Sequence, residues 1–241
     1  MLARDTYLHF LREDGRAFAK ACDNSLNVAV AGCPGWVIRD LVIHVTEVHA
    51  FWNFIARTGM AGPENYVPPE ISDDANLMSG YLEGLDALVS TLTTTDAASP
   101  CWTWDGSHDI AWITRRMAHE MAVHAWDART ATGDAAPIDA VLASDGIDEF
   151  VHMMLHYPMP DVATLTGSVH IHCTDVDGEW LIVPNGEQLI VTREHAKGTC
   201  AIRGAAHDVL MVLWRRYALS DVEVIGDVAV ASQFVARADL R

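Results

Sequence analysis

The chain of 241 residues is long enough to bury the core of one large domain or of two smaller ones. Half of its residues are hydrophobic and 20% are charged, which excludes the composition of a disordered chain. Its 16 basic and 33 acidic side chains give a formal net charge of -17, so neither nucleic acid nor a membrane surface is an expected partner.

The apolar runs and the cysteines favour a cytoplasmic protein. The longest apolar run, Val209–Trp214, is far shorter than the roughly 18 residues that span a bilayer, and the charged N-terminus contains no signal-peptide segment. The cysteines are odd in number and widely spaced, so we expect neither a disulfide framework nor a zinc knuckle. They are Cys22, Cys33, Cys101, Cys173 and Cys200.

Four segments in the first 132 residues have apolar positions three or four apart, the spacing of a single helix face. We predict helices from about Leu2 to Cys22, from just after Gly35 to Ile55, from Leu77 to Leu92, and from Ile110 to Thr132. Four helices of this length indicate a four-helix bundle, which we assign to residues 1–135.

The pattern changes after Pro137. A predicted helix, Val141–Tyr157, is followed by short alternating runs at 166–173, 180–183 and 189–192, which predict an antiparallel meander.

Two further helical patterns, Ala205–Tyr217 and Asp227–Ala238, lie on either side of a short strand at Val222–Ile225. We therefore predict a smaller α+β domain at residues 137–241, and an α+β fold class for the whole chain.

Three polar residues occupy positions where a bundle helix should be apolar. His44 replaces an apolar residue on the second predicted helix, and Glu120 and His124 do so on the fourth, one turn apart. A carboxylate inside a bundle is destabilising by several kcal/mol unless its charge is compensated. A divalent metal would compensate it.

Two imidazoles and one carboxylate suit zinc in a catalytic site, because they leave a fourth position open. The same donors also suit iron, nickel or manganese. The alternative is that the histidines are ordinary core residues and that Glu120 pairs with Arg115, Arg116 or Lys20. His119 makes a poorer alternative pair with His124, because five residues of helix separate the two by about 140°. His49 is separated from His44 in the same way and is interpreted as peripheral.

Several motifs together resemble the mycothiol-dependent maleylpyruvate isomerase family, and the likeness covers essentially the whole chain. They are CPGW at 33–36, RDLVIH at 39–44, MAHEMAVHAWD at 117–127, DVDGEW at 175–180, IRGAAHDVL at 202–210, LWRR at 213–216 and VIGD at 224–227. The resemblance implies a DinB-like metal-binding four-helix bundle followed by an α+β domain similar to sterol-carrier proteins.

The resemblance also implies a site. The family's three metal ligands correspond to His44, Glu120 and His124, with zinc or another divalent transition metal as the ion and mycothiol as thiol co-substrate. The implied substrate is a small acidic or electrophilic molecule. We expect a monomer or weak dimer.

Other residues receive roles within this hypothesis. Arg216 or Arg203 would bind a substrate carboxylate through a bidentate contact. Asp127 would orient His124, with a solvent-exposed helix cap as the alternative. Cys33, although at a helix N-terminus, is interpreted as structural. The aromatic residues predicted to wall a pocket between bundle and second domain are Trp36, Trp52, Trp102, Trp104 and Trp112.

Two reactions share a first step on a stabilised thiolate. Addition to a cis-conjugated diacid, rotation about the resulting single bond and loss of the thiol would give a cis-trans isomerase. Transfer of the sulfur to an electrophile would give an S-transferase. Two other functions remain open: a metal-dependent hydrolase that uses activated water, and a metal-free carrier of an apolar ligand.

Overall fold

A computed structural model of the chain describes residues 1–156, 165–186 and 188–238. The chain divides into two units, Met1–Ala136 and Pro137–Arg241. In the described ranges we find no helix with both the length and the apolar character needed to cross a bilayer.

The first unit contains the four predicted helices. They are α1 (Arg4–Cys22), α2 (Ile38–Thr58), α3 (Leu77–Thr94) and α4 (Ile110–Ala131). Each buries the apolar face that its sequence period defines, and residues such as Leu11, Phe18 and Leu88 are fully buried in a shared core. The helical N-terminal region is confirmed.

The starts of α2 and α4 are fixed by side-chain caps. Asp40 accepts a hydrogen bond from the backbone N–H of Val37 at 3.0 Å, and Asp109 accepts one from Trp112 at 3.0 Å. Caps of this kind satisfy N–H groups that have no partner within the helix.

A small hairpin before α4 was not predicted. Its strands, β1 (Pro100–Thr103) and β2 (Gly106–Asp109), pair antiparallel. Gly106 has a φ of +102°, a value that favours glycine. The dipeptide Asp105-Gly106 is a turn signal that would have located the hairpin.

In the second unit α5 (Ala140–His152) precedes a sheet that starts with β3 (Val169–Cys173), β4 (Glu179–Asn185) and β5 (Gln188–Thr192). These strands form the predicted antiparallel meander.

The predicted helix Val141–Tyr157 is too long, because α5 ends at His152. Tyr157, the last residue of the predicted helix, lies outside the described ranges.

Two more strands complete a five-stranded sheet. β6 (Cys200–Gly204), which was not predicted, pairs parallel with β3, and β7 (Glu223–Gly226) pairs antiparallel with β6. The strand order is β5-β4-β3-β6-β7, so the sheet is mixed rather than wholly antiparallel.

Two helices follow these strands. α6 (Ala206–Leu213) is shorter than predicted because the chain turns at Arg215, whose φ is +59°. α7 (Val228–Arg237) contacts β3 and β6. In the core of this second unit, the largest fully buried side chains are those of Trp180, Phe150 and Phe234.

Two helical glycines provide a test of bundle packing. A Cβ at Gly15 of α1 would lie 2.6 Å from Leu85 Cδ2 of α3, whereas a Cβ at Gly84 of α3 would meet nothing within 4 Å. We expect Gly15→Val to lower the free energy of unfolding by about 1–3 kcal/mol through overpacking. Gly84→Ala should instead raise it by up to about 1 kcal/mol.

Urea denaturation followed by circular dichroism measures both changes. Equal stabilities of the Gly15→Val variant and the parent would contradict the close approach of α1 to α3.

Candidate metal centre

Two facing helices bring together the three predicted metal ligands. His44 lies on α2, and Glu120 and His124 lie one turn apart on α4. One donor atom from each lies within 4.8 Å of the others. Glu120 Oε1 is 3.3 Å from His44 Nε2 and 3.2 Å from His124 Nε2. One carboxylate oxygen therefore faces both imidazoles.

A tight turn before α2 places two further side chains near this trio. Gly35 has a φ of +87°, and the N–H of Trp36 donates to the carbonyl of Cys33 at 2.9 Å. The ring of Trp36 lies 5.2 Å from the ring of His44, between centroids. The CPGW segment thus forms one edge of the site.

The second oxygen of Glu120 has a different partner. Arg116, one turn earlier on α4 and itself buried, donates to Glu120 Oε2. Of the three basic residues considered from the sequence, Arg116 is the one that makes this ion pair. The pair leaves Oε1 directed at the imidazoles, so it coexists with the predicted trio.

Charge explains the pKa shifts of Glu120 and His124. Burial alone would raise the pKa of Glu120, but the charges of His124 and Arg116 and hydrogen bonds from both histidines outweigh it and hold that pKa well below its usual range. Burial would lower the pKa of His124, but Glu120 and Asp127 raise it well above its usual range. Contacts between opposite charges therefore account for both pKa shifts.

Asp127 is placed to orient His124. Its Oδ2 lies 3.1 Å from His124 Nδ1, and the carboxylate is buried. The alternative of a solvent-exposed cap is therefore wrong. Cys33 Sγ also donates to Asp127 Oδ2, at 3.7 Å, and Cys33, His124 and Asp127 form a second possible donor set. Sequence reasoning treated Cys33 as structural and did not place its thiol here.

His49 and His119 do not join the trio. The His49 ring is fully buried and stacks on Tyr81, and its two nitrogens have no hydrogen-bond partner among the described residues. Burial lowers the pKa of His49 to about 4. His49 therefore lies outside the donor set, which agrees with its interpretation as peripheral to the metal site, and its ring is part of the bundle core. The His119 ring packs edge-on against Tyr7 of α1.

The trio fits a divalent transition metal. Bonds of about 2.0–2.2 Å in a tetrahedral arrangement place neighbouring donor atoms about 3.3–3.5 Å apart. The separations of 3.3 and 3.2 Å from Glu120 Oε1 are close to that value. A ligating histidine normally donates its other ring N–H to a carboxylate, which is the relation of His124 to Asp127.

The site is open on the side of α2. The His44 side chain is 35% exposed, against 16% for Glu120 and 11% for His124. His44 borders a cavity of about 430 Å³ whose other lining residues belong to the same unit and are largely aromatic or apolar. They include Val48, Phe51, Trp52, Tyr66, Pro68 and Trp104.

Of the predicted aromatic residues, Trp52 and Trp104 line this cavity. The ring of Trp52 lies 5.1 Å from that of Trp104 and 5.4 Å from that of Trp112, and Trp104 and Trp112 are 5.2 Å apart. Trp102 packs edge-on against Phe51. Trp52 is buried, whereas Trp104 is 42% exposed and forms an accessible part of the wall.

The predicted substrate-binding arginines lie in the second unit and have partners there. Arg203 Nη1 donates to Glu223 at 2.8 Å, across the β6–β7 pair. Arg216 Nη1 donates to the carbonyl of Trp214 at 2.9 Å. The intervening Arg215 donates to the carbonyl of Ala238 at 2.5 Å and to others near the end of α7.

Two solved structures have a similar fold. They are a crystal structure of the mycothiol-dependent maleylpyruvate isomerase and one of a point mutant of that enzyme, with TM-scores of 0.63 and 0.67 and identities of 13% and 14%. Each comparison covers 94% of this chain and 95% of the other. The α+β fold class, a helical unit followed by a smaller unit with a sheet, is confirmed.

No curated protein sequence matches the chain.

The amino-acid sequence also matches the model of a protein family. Residues 8–129 match the model described as the mycothiol maleylpyruvate isomerase N-terminal domain. The match covers about half of the chain and contains His44, Glu120, His124 and Asp127. The chain therefore belongs to the mycothiol-dependent maleylpyruvate isomerase family.

Proposed function

We propose that the protein is a mycothiol-dependent metalloenzyme that isomerises a small cis-conjugated diacid of the maleylpyruvate type. The observation that carries the proposal is the convergence of His44, Glu120 and His124 within 4.8 Å inside a bundle of this family. The adjoining aromatic cavity of about 430 Å³ is large enough for a small substrate.

Zinc is the metal we favour, and when bound it would lower the pKa of a thiol and stabilise its thiolate. His44 and His124 each supply a nitrogen, and Glu120 supplies Oε1. Arg116 fixes the orientation of the carboxylate, and Asp127 fixes that of the His124 ring. With three protein ligands, a bound zinc ion would have one position available to the thiol sulfur.

The remaining residues bind and orient the reactants. Trp36, Trp52 and Trp104 supply apolar walls near His44 that exclude water from the reacting sulfur. For the substrate carboxylate we propose Arg216, with Arg203 as the alternative, because both lie in segments that resemble the second domain of the family. Because an S-transferase would use the same thiolate, the choice of acceptor decides between the two activities.

The first prediction from the proposed function concerns the metal. His44→Ala and His124→Ala should each lose about one equivalent of metal relative to the parent, because two remaining donors hold an ion poorly. Inductively coupled plasma mass spectrometry of protein purified without an affinity tag measures this loss. His9→Ala, which changes an exposed histidine of α1, is the matched control and should keep the parent's content.

Equal metal content in His44→Ala and the parent would refute the ligand assignment. Thermal melting of each variant separates loss of a ligand from loss of the fold.

The second prediction concerns the thiol. The parent should convert maleylpyruvate to its trans isomer only when mycothiol is present, and His44→Ala should reduce kcat by about a hundredfold or more. A spectrophotometric assay of the trans product, with and without mycothiol, gives both values. Transfer of the mycothiol sulfur to monochlorobimane without isomerisation would indicate the S-transferase. Cleavage of maleylpyruvate in the absence of any thiol would indicate a hydrolase.

The third prediction separates the two donor sets that share His124. If Asp127 orients His124, Asp127→Asn should weaken zinc binding by about 10–100-fold, the usual effect of losing such a carboxylate. Cys33→Ala should leave zinc affinity within about twofold, because its sulfur is not among the proposed ligands. Competition titration against a chromogenic chelator measures both affinities.

A large loss of zinc affinity in Cys33→Ala would instead show that Cys33, His124 and Asp127 hold the ion.

A further inference from the structure

A second group of metal-binding side chains lies in the second unit, on the sheet. It consists of His170, His172, Glu179 and His195, and one donor atom from each lies within 4.8 Å of the others. The proposed isomerase reaction uses none of these residues.

The strand register builds most of this histidine cluster. His170 and His172 alternate with Ile171 on β3, so both project from the same face of the sheet. Glu179, the first residue of β4, is the cross-strand partner of His172. His195 follows the end of β5 and enters the cluster from the connection to β6.

Glu179 is the centre of the cluster. Its Oε1 lies 2.6 Å from His172 Nδ1, and its Oε2 lies 2.7 Å from His195 Nδ1 and 3.6 Å from His170 Nε2. The three imidazole rings surround the carboxylate, with centroids 5.3–6.1 Å apart. Three nitrogens and one carboxylate therefore converge on one point.

Two of these nitrogens are buried beside Glu179 and make no well-formed hydrogen bond within the described ranges. His170 is 7% exposed, and its Nε2 is buried without a hydrogen bond in the described ranges. His172 Nδ1 is likewise buried, and its approach to Glu179 lacks hydrogen-bond geometry. Buried polar atoms nearly always form hydrogen bonds or bind an ion, so both nitrogens have lone pairs available to a ligand inside the cluster.

We propose that His170, His172, Glu179 and His195 form a second binding site for a divalent transition metal of the zinc class. Nitrogen donors with a single carboxylate suit zinc, copper or nickel, whereas magnesium and calcium need a shell of oxygens. Four protein donors can complete a tetrahedral shell and leave no open position, which is typical of a structural site. The ion would separate the donors to about 3.3–3.5 Å and satisfy both nitrogens.

Such an ion would bind the loop between β5 and β6 to the sheet. His195 lies in the segment 193–199 between β5 and β6, and its side chain is 79% exposed. The two strands that carry the other ligands, β3 and β4, are adjacent in the sheet. A bound metal would therefore cross-link three parts of the second unit.

Cobalt and zinc titrations of the tag-free, chelator-treated full chain test this site. In the His44→Ala/His124→Ala background, which removes the proposed bundle ligands, we expect about one equivalent of Co²⁺ to bind with the visible absorption of a tetrahedral site. Adding His172→Ala and His195→Ala should abolish that absorption and the competing uptake of Zn²⁺.

His152→Ala is the matched control, because His152 is an exposed histidine of the same unit outside the cluster and should leave binding unchanged. Circular dichroism verifies that each variant folds, and His195→Ala alone, at an exposed position, provides a variant whose fold is not at risk. Equal Co²⁺ binding with and without His172 and His195, or none in the bundle-deficient background, would overturn the proposal. Neither outcome depends on whether the bundle site binds metal.

Discussion

The carboxylate of Glu120 is the constraint on which the bundle site depends. A charged group inside a helical bundle must be compensated at each oxygen, because the desolvation penalty is several kcal/mol. Arg116 meets this need at Oε2 from one turn away on the same helix. That contact directs Oε1 towards His44 and His124. The ion pair that was the competing interpretation therefore also supports the trio.

The bundle and its candidate ligands could be predicted because their signals are local. Helical period places His44 on the inner face of α2 and Glu120 and His124 on that of α4, and facing helices then bring the three together. The same spacing predicts the contact between Asp127 and His124, because Asp127 follows His124 by three residues, which is less than one helical turn. The helical spacing alone fixed these positions without knowledge of any loop.

The features that were missed depend on pairing between distant segments. β6 has only five residues and owes its place to a parallel register with β3, which no local pattern encodes. The direction of the Cys33 thiol towards Asp127 depends on a turn that packs against α4, 94 positions later in the chain. His195 likewise reaches Glu179 through a loop. Of the cluster, only His170 and His172 lie in a run that was predicted as a strand, and no sequence pattern singled them out.

The two histidine groups differ in ways that determine what each can do. In the bundle, three donors are held by buried supporting groups, Arg116 and Asp127, and the most exposed member, His44, faces an aromatic cavity. An ion there would have an accessible position, as chemistry on a bound thiol requires. On the sheet, Glu179 lies among three imidazoles, and these four residues would supply all four donors of a tetrahedral shell. Because that shell has no free position, its ion could stabilise the unit but could not bind a substrate.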